Sequence, residues 1–508
     1  MILKDLLTDI DYEILKGKET REITVLTHDS RKIQEGAVFV CISGAVRDAH
    51  DFIPEAIGKG AAAIVLEKDP GEVNGLTKLM EMPEADRVTF VKVRDTRKAL
   101  AFMAAAYFGH PAEELVTIGI TGTKGKTTTT YMIKNILEKA GIPTGLIGTI
   151  EILIGNESIH AGNTTPESFA VQNYMRRMAD CGMKAVVMEV SSQGLMLDRV
   201  AGINFDYGIF TNLEPDHIGE NEHKDFEDYM HCKSLLFRQC KTGIVNADSE
   251  YLEGILKDHT CRVETFSVMK DADYRASDIS FSQKEGKLVT SYTAHIKDNP
   301  EMHIDLTMPG MFSVYNSLTA LALCSHFSLR PETTEKALRE TKVCGRTEIV
   351  PVSERIPGAP KYTVMIDYAH NAMALESLLV TLKAYRPQRL VCLFGCGGNR
   401  AKSRRYEMGE VSSRLADLTI VTSDNPRFEE PMAIIEDILT GVKKADGAYV
   451  TIPDRRDAVR YAVENAEEGD IIVLAGKGHE DYQEIKGVKY HMDERELLSD
   501  AIAFVNKK

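Results

Sequence analysis

The chain's clearest chemistry lies in Gly122-Thr123-Lys124-Gly125-Lys126-Thr127-Thr128, set between the apolar run Val116–Thr121 and a helical pattern. The order reads as a strand, a tight glycine turn and the open N-terminus of a helix. Unsatisfied backbone N–H groups at such a terminus, with the helix dipole behind them, bind phosphate. Gly122 and Gly125 let the backbone approach an anion closely, Lys126 adds a mobile positive charge, and the Thr127 hydroxyl suits Mg²⁺. The run matches the Walker A pattern loosely, being shorter between its glycines. Further along, Glu189 follows four apolar residues, Thr211-Asn212 closes another run, Asp216-His217 comes shortly after, and Lys233 lies in the helical segment Tyr229–Phe237. Taken singly, these read as a solvated strand end, a helix cap and a snorkelling lysine. Taken together beside a phosphate loop, they point to a cation and phosphate site.

The elements that must position these residues follow from the apolar runs. Ala185–Val190, Tyr207–Asn212 and Gly243–Asn246 read as short strands with helical patterns between them, the first helix running from Thr127 to Ala140. That alternation predicts a mostly parallel sheet with helices on both faces, whose ligands gather at the carboxyl ends of the strands. Ahead of it, residues 1–109 read as a small α/β unit with strands at Val38–Ile42 and Ala61–Leu66 and a last helix through Ala99–Tyr107. Its Asp29-Ser30-Arg31 reads as a polar turn. Pro309-Gly310 is a turn signal, with Asn316 at the start of a helix Ser317–Phe327. Beyond it, Tyr362–Ile366, Leu390–Phe394, Leu418–Thr422 and Ile471–Ala475 read as strands of a further doubly wound domain, each ending in a polar cluster. The expected fold class is α/β in three domains. These are a small N-terminal α/β domain (1–109), a central P-loop ATPase-like domain with a mostly parallel sheet (110–341) and a C-terminal Rossmann-like domain (342–508).

Bulk properties agree. At 508 residues, 43% hydrophobic and 27% charged, the chain has the profile of an ordinary globular protein of several domains. A net charge of −15 disfavours nonspecific binding to nucleic acid or to an anionic membrane. The N-terminus lacks the long apolar core of a signal peptide, and no window approaches a membrane span. Nine scattered cysteines without a CxxC pair indicate neither a disulfide framework nor a zinc site, so a reduced cytoplasm is the expected location.

In order, the phosphate loop, Asn163-Thr164-Thr165-Pro166-Glu167, Glu189-Val190-Ser191-Ser192, Thr211-Asn212…Asp216-His217 and Lys233 resemble the motifs of the Mur ligases, and the similarity runs essentially end to end. The resemblance implies that the first domain holds the UDP end of the substrate through Ser30 and the loop Ala45-Val46-Arg47. It implies that Asn163, Thr164, Thr165, Ser191 and Arg199 contact the muramoyl-peptide side. Thr127, Glu189, His217 and a carbamylated Lys233 would surround Mg²⁺, with CO₂ or bicarbonate supplying the carbamate. An uncharged lysine amine that adds CO₂ becomes an anion able to hold a hard cation. ATP would be met by the phosphate loop, Asn316, Arg346, Asp367 and His370, with Arg346 completing a clamp on domain closure. Gln193 and Leu197 stand where the family usually has histidine and often glutamine.

Asp424-Asn425-Pro426-Arg427 matches the signature of family members that choose meso-diaminopimelate. That amino acid carries a second carboxylate at its far end, which a guanidinium grips through two parallel hydrogen bonds. L-lysine lacks this group and would set its own cation near Arg427. The match carries Arg400, Gly476 and Glu480 into the amino-acid site, while Asn399 and Ala401 replace acids that commonly flank Arg400. The implied activity is an ATP-dependent ligation in peptidoglycan precursor synthesis, and so in cell-wall biogenesis, cell shape and division. An acyl phosphate on the D-glutamate of a UDP-linked muramoyl dipeptide would be attacked by the amine of meso-diaminopimelate. The enzyme would act as a monomer on small molecules, with no nucleic-acid partner. Lysine addition, a folate polyglutamate ligase lacking a UDP-binding domain, and an inactive nucleotide-binding regulatory protein are the competing readings.

Overall fold

The computed structural model describes residues 1–508 except 45, 46, 217, 220, 221, 285, 286 and 508. The chain divides into two compact units, Met1–Ala272 and Asp273–Lys508. That division falls inside the segment 110–341 expected as one central domain.

The first unit holds two sheets. The first sheet contains β1 (Tyr12–Lys16), β2 (Val25–Thr27), β3 (Ala37–Val40), β4 (Ala63–Leu66) and β5 (Thr89–Val93), in the order β1-β5-β4-β3-β2. All pairs are parallel except β1 with β5. β3 and β4 are buried along their whole length, as continuous apolar runs covered on both faces must be. The helix expected through Ala99–Tyr107 is present as Thr96–Tyr107, with the Asp95 carboxylate accepting from the N–H groups of Arg97 and Lys98 at its start.

The second sheet of this unit contains β6 (Val116–Thr121), β7 (Thr144–Ile147), β8 (Glu151–Ile154), β9 (Glu157–His160), β10 (Ala185–Glu189), β11 (Phe205–Phe210), β12 (Cys240–Asn246) and β13 (Arg262–Ser267). Its order is β9-β8-β7-β10-β6-β11-β12-β13. From β7 to β13 every pair is parallel, and β8 and β9 add an antiparallel edge. β6 is flanked by β10 and β11, with Glu189 opposite Ile120 and Phe210 opposite Thr121. The carboxyl ends of these strands therefore lie side by side. The phosphate-loop helix runs Lys126–Lys139.

The second unit begins with an antiparallel ribbon of β14 (Tyr274–Lys284), β15 (Lys287–Ile296) and β16 (Met302–Leu306). A helix Met311–Cys324 follows. The sequence placed Asn316 at a helix start, but the helix begins at Met311 and Asn316 is buried in its second turn. Gly310, at φ +94°, breaks the chain after Pro309, so Met311 and Phe312 already belong to the helix. The sheet after it contains β17 (Glu348–Val350), β18 (Thr363–Asp367), β19 (Leu390–Phe394), β20 (Leu418–Val421), β21 (Tyr449–Thr451) and β22 (Ile471–Ala475). Its order is β17-β18-β22-β19-β20-β21, parallel apart from β17. A hairpin of β23 (Tyr482–Ile485) and β24 (Val488–His491) comes next. No helix among the described residues is long and apolar enough to cross a membrane.

Candidate active site

β6 delivers the phosphate loop from the middle of the sheet. Gly122 has φ +146°, and a Cβ there would fall 2.0 Å from Thr211 Oγ1. Gly125, at φ +85°, stands before a fourteen-residue helix whose first turn no side chain caps, which leaves N–H groups suited to an anion. The end of β11 braces the loop. Thr123 N donates to Asn212 O (2.9 Å), Lys124 N to Asn212 Oδ1 (2.9 Å), Asn212 Nδ2 to Lys124 O (3.0 Å) and Thr211 Oγ1 to Lys124 O (2.7 Å). Lys126 folds back, donating to the carbonyls of Gly122 (2.8 Å) and Thr123 (3.0 Å).

Glu189, at the end of β10, is 1% exposed. Its Oε2 accepts from Thr127 Oγ1 (3.0 Å) and Thr149 Oγ1 (3.0 Å), and its Oε1 from Thr149 N (2.9 Å). Thr149, just beyond β7, is a site residue that sequence reasoning missed. It also shares a 3.1 Å contact with Thr164 Oγ1. Thr165 Oγ1 donates to Glu189 O (2.9 Å) and accepts from Ser191 N (2.9 Å), while Arg199 donates to Thr165 O (3.0 Å) and pairs with Glu167 (2.7 Å). Ser191 caps the short helix holding Gln193, and Asn163 is exposed. A buried carboxylate beside a threonine hydroxyl is an all-oxygen set that fits a hard cation such as Mg²⁺. His217, expected as a further ligand, lies outside the described residues.

Lys233, near the end of the helix Phe226–Ser234, is fully buried and donates to Gly122 O at 2.9 Å. Burial pushes its ammonium well below the ordinary lysine range, and the Lys126 cation pushes it the same way. The Tyr229 ring lies 4.5 Å from its Nζ, and Tyr229 OH contacts Thr123 Oγ1 at 3.1 Å. Lys126, Thr127, Glu189 and Lys233 are thus brought together around the loop.

In the N-terminal sheet's loops, Asp29 accepts from the backbone and side chain of Arg31, which holds its carboxyl at about 2 and fixes Ser30 at the start of a 3₁₀ turn. Arg47 is exposed, and its carbonyl accepts from Gly44 N (3.0 Å). Ala45 and Val46 lie outside the described residues.

In the second unit the expected residues again stand at strand carboxyl ends. Asp367 closes β18, accepting from Thr347 N (2.7 Å) and Ala369 N (2.8 Å). Burial pushes its carboxyl up, opposed by Arg346. The Arg346 guanidinium stacks 4.7 Å over the Tyr368 ring, and its buried Nε has no hydrogen-bond partner among the described residues. His370 packs on the same ring at 4.7 Å. Gly345 passes so close to the loop after β22 that a Cβ would fall 2.1 Å from His479 N.

The amino-acid candidates converge beyond β19, β20 and β22. Lys477, wholly buried, lies 3.3 Å from Asp424 Oδ1, Asn425 Oδ1 and Glu480 Oε2, and Asn425 Nδ2 donates to Glu480 Oε2 at 2.8 Å. The Glu480 carboxylate expected to hold an ammonium group is therefore already engaged by Lys477, which sequence reasoning did not single out. Gly476, at φ +110°, leaves room for Asp424 Oδ2, which a Cβ would approach to 3.1 Å. Pro426 is buried, and its carbonyl leaves no space for a Cβ on Gly398. Arg400 is exposed, and Ala401 stands before the helix Lys402–Leu415. Asn399 has φ +54°, and its side chain accepts from Phe428 N (3.2 Å), a turn role open to asparagine.

Comparison with known proteins gives a uniform result. Residues 22–108 match the family model described as Mur ligase family, catalytic domain; residues 120–324 match the Mur ligase middle domain; residues 345–478 match the Mur ligase, glutamate ligase domain. The UDP-N-acetylmuramoyl-L-alanyl-D-glutamate–2,6-diaminopimelate ligase of Clostridium perfringens is 42% identical over 507 residues, covering 99% of each chain. Its namesake in Clostridioides difficile is 39% identical over 508 residues, covering 99% of this chain and all of that one. A solved structure with the same enzyme name superposes with a TM-score of 0.71 at 25% identity, covering 99% of each chain.

Proposed function

The chain belongs to the Mur ligase family, and from that premise we propose that it is an ATP-dependent, ADP-forming ligase adding meso-diaminopimelate to UDP-N-acetylmuramoyl-L-alanyl-D-glutamate. The observation that carries the reading is the convergence of the phosphate loop, the buried Glu189 and the buried Lys233 at one end of a parallel sheet. The names of the full-length relatives support the substrate assignment.

A carboxylate has no leaving group, so an oxygen of the D-glutamate γ-carboxylate must first accept the terminal phosphoryl group of ATP. Breaking the bond between that phosphorus and the ADP oxygen releases ADP and leaves an acyl phosphate. The neutral amine of meso-diaminopimelate then attacks the acyl carbon. The tetrahedral adduct expels phosphate, and the amine's proton passes to solvent. In this reading the backbone N–H groups after Gly122 hold the phosphates, and Lys126 turns from the loop carbonyls to the transferred group. Arg346 adds positive charge to the same group. Thr127 and Glu189 would hold Mg²⁺, which supplies charge neutralisation at the phosphate oxygens. Lys233 would join them as a carbamate, formed when its neutral amine adds CO₂ and loses a proton. That conversion would set an anion beside the Lys126 cation. Ser30, Arg47, Thr164, Thr165, Ser191 and Arg199 would position the UDP-linked dipeptide; Asn316, Asp367 and His370 the nucleotide; and Arg400, Asp424–Arg427, Gly476 and Glu480 the amino acid. In this reading the reaction runs in the cytoplasm, with a single chain sufficing.

The test is phosphate release with dipeptide substrate labelled with ¹⁸O in the D-glutamate γ-carboxylate. Release that requires ATP, the dipeptide and meso-diaminopimelate, with one ¹⁸O carried into the phosphate, is the expected result. Phosphate released without label, or without need of the dipeptide, overturns the proposal.

A further inference from the structure

The segment Asp424–Arg427 does not stand alone at the end of β20; the edge of the hairpin β23–β24 is laced to it. Gln483 Nε2 donates to Asp424 O (2.7 Å), Glu484 N to Asn425 Oδ1 (2.9 Å), Arg427 N to Glu484 O (2.9 Å) and Lys486 N to Arg427 O (2.7 Å). Arg427 and Ile485 form an isolated parallel bridge. Arg427 itself sits at φ +51°, a backbone conformation uncommon outside glycine, asparagine and aspartate. Its side chain is fixed from two sides. Nε donates to Glu484 Oε2 at 3.2 Å, and Nη1 donates to Gly398 O at 2.8 Å.

A guanidinium has five N–H donors. With one on Nε and one on Nη1 engaged, an Nη1 hydrogen and both Nη2 hydrogens remain, enough for the two-pronged grip on a carboxylate. The Arg427 side chain is 25% exposed, so it is not sealed in the interior. Holding such a flexible side chain in one orientation before the ligand arrives lowers the entropy lost on binding. The Glu484 carboxylate does this while also balancing the guanidinium charge, so the pair is neutral until a second carboxylate enters.

We infer that Glu484 is a positioning residue that orients Arg427 for the far carboxylate of the amino-acid substrate, making the β23–β24 hairpin part of the specificity element. The inference rests on the proposed function, in which Arg427 meets that carboxylate. It goes further by placing selectivity in a residue pair rather than in the Asp-Asn-Pro-Arg turn alone.

The test is steady-state kinetics of the full chain and its Glu484→Ala and Glu484→Gln variants, with each of the three substrates varied in turn. Losing a charge-assisted hydrogen bond to the guanidinium raises KM for meso-diaminopimelate about tenfold or more in Glu484→Ala, with KM for ATP and the UDP-linked dipeptide unmoved. Glu484→Gln, whose amide oxygen still accepts from Nε, recovers part of the loss. An equal rise in all three KM values would assign the hairpin a merely structural role and overturn the inference, as would a Glu484→Ala variant with wild-type kinetics. Should Glu484→Ala not fold, the isosteric Glu484→Gln decides alone, a selective rise in KM for meso-diaminopimelate supporting the inference and unchanged kinetics overturning it. Wild-type enzyme that does not turn over meso-diaminopimelate at all would instead overturn the functional reading beneath it.

Discussion

Lys233 donates its side-chain nitrogen to the Gly122 carbonyl oxygen at 2.9 Å, and that oxygen also accepts from Lys126 at 2.8 Å. Two lysines thus share one carbonyl at the entrance to the phosphate loop. Burial, reinforced by the Lys126 cation, lowers the affinity of Lys233 for its proton, which is what the proposed addition of CO₂ would require.

Lys233→Ala and Lys233→Arg therefore lose activity on the order of a hundredfold or more, the scale of removing a group that organises transition-state charge. Arginine has a basic side chain of similar reach but forms no carbamate. Wild-type enzyme stripped of CO₂ loses activity and regains it with bicarbonate, whereas Lys233→Arg does not respond. A fully active Lys233→Arg enzyme would contradict the account.

Gly122→Ala prevents nucleotide binding. The new Cβ would fall 2.0 Å from Thr211 Oγ1 at a backbone angle of +146°, and Thr211 braces the loop through Lys124. Gly141, at φ +82° with nothing within 4 Å of its would-be Cβ, is the control. Its alanine variant costs about 1 kcal/mol of backbone strain and leaves nucleotide affinity alone. Calorimetric titration with a non-hydrolysable ATP analogue checks both.

Thr149→Val raises the Mg²⁺ concentration needed for half-maximal activity about tenfold, the usual effect of removing a group that orients a metal ligand. The threonine hydroxyl holds Glu189 Oε2 at 3.0 Å, the same oxygen that accepts from Thr127. Titrating activity against Mg²⁺ at saturating ATP reads the shift. An unchanged requirement would remove Thr149 from the site.

Glu429 couples stability to acid. Its bond to the buried Arg405 guanidinium, helped by Asn399 N, holds its carboxyl at about 2. A folded pKa below the unfolded value of about 4.3 means the unfolded chain binds the proton more readily. The pair's stabilisation is therefore present above pH ~4.3 and is lost as pH falls towards ~2. Glu429→Gln lowers the Tm at pH 7, and the gap from wild type closes across that acid window. Glu429 is partly exposed, so solvent screens the pair and keeps the gap modest. A gap that stays constant down to pH ~2 would show that the ion pair is not its cause.

The strand-and-loop order around Gly122–Thr128 was legible because local patterns encode it: an apolar strand, two glycines and a helical run. Glu189 was legible because it breaks an apolar run at a strand end. Thr149, Lys477 and Glu484 were not, because each acts through a partner distant in the chain and none carries a local pattern. Thr149 meets Glu189 only because β7 lies beside β10. Asn316 misleads as a helix-start signal, because Gly310 is the residue that breaks the backbone. The ribbon β14–β16 was within reach. Leu288, Thr290, Tyr292, Ala294 and Ile296 alternate with more exposed residues along β15, the period of a strand with one covered face.

The most direct measurement gives the enzyme ATP, Mg²⁺, UDP-N-acetylmuramoyl-L-alanyl-D-glutamate and an equimolar mixture of meso-diaminopimelate and L-lysine, and reads the products by mass. The account predicts the diaminopimelate tripeptide as the dominant product, with ADP and phosphate formed one for one. A lysine tripeptide dominating the mixture would contradict the role given to Arg427, and ADP formed with neither product would contradict the ligase itself.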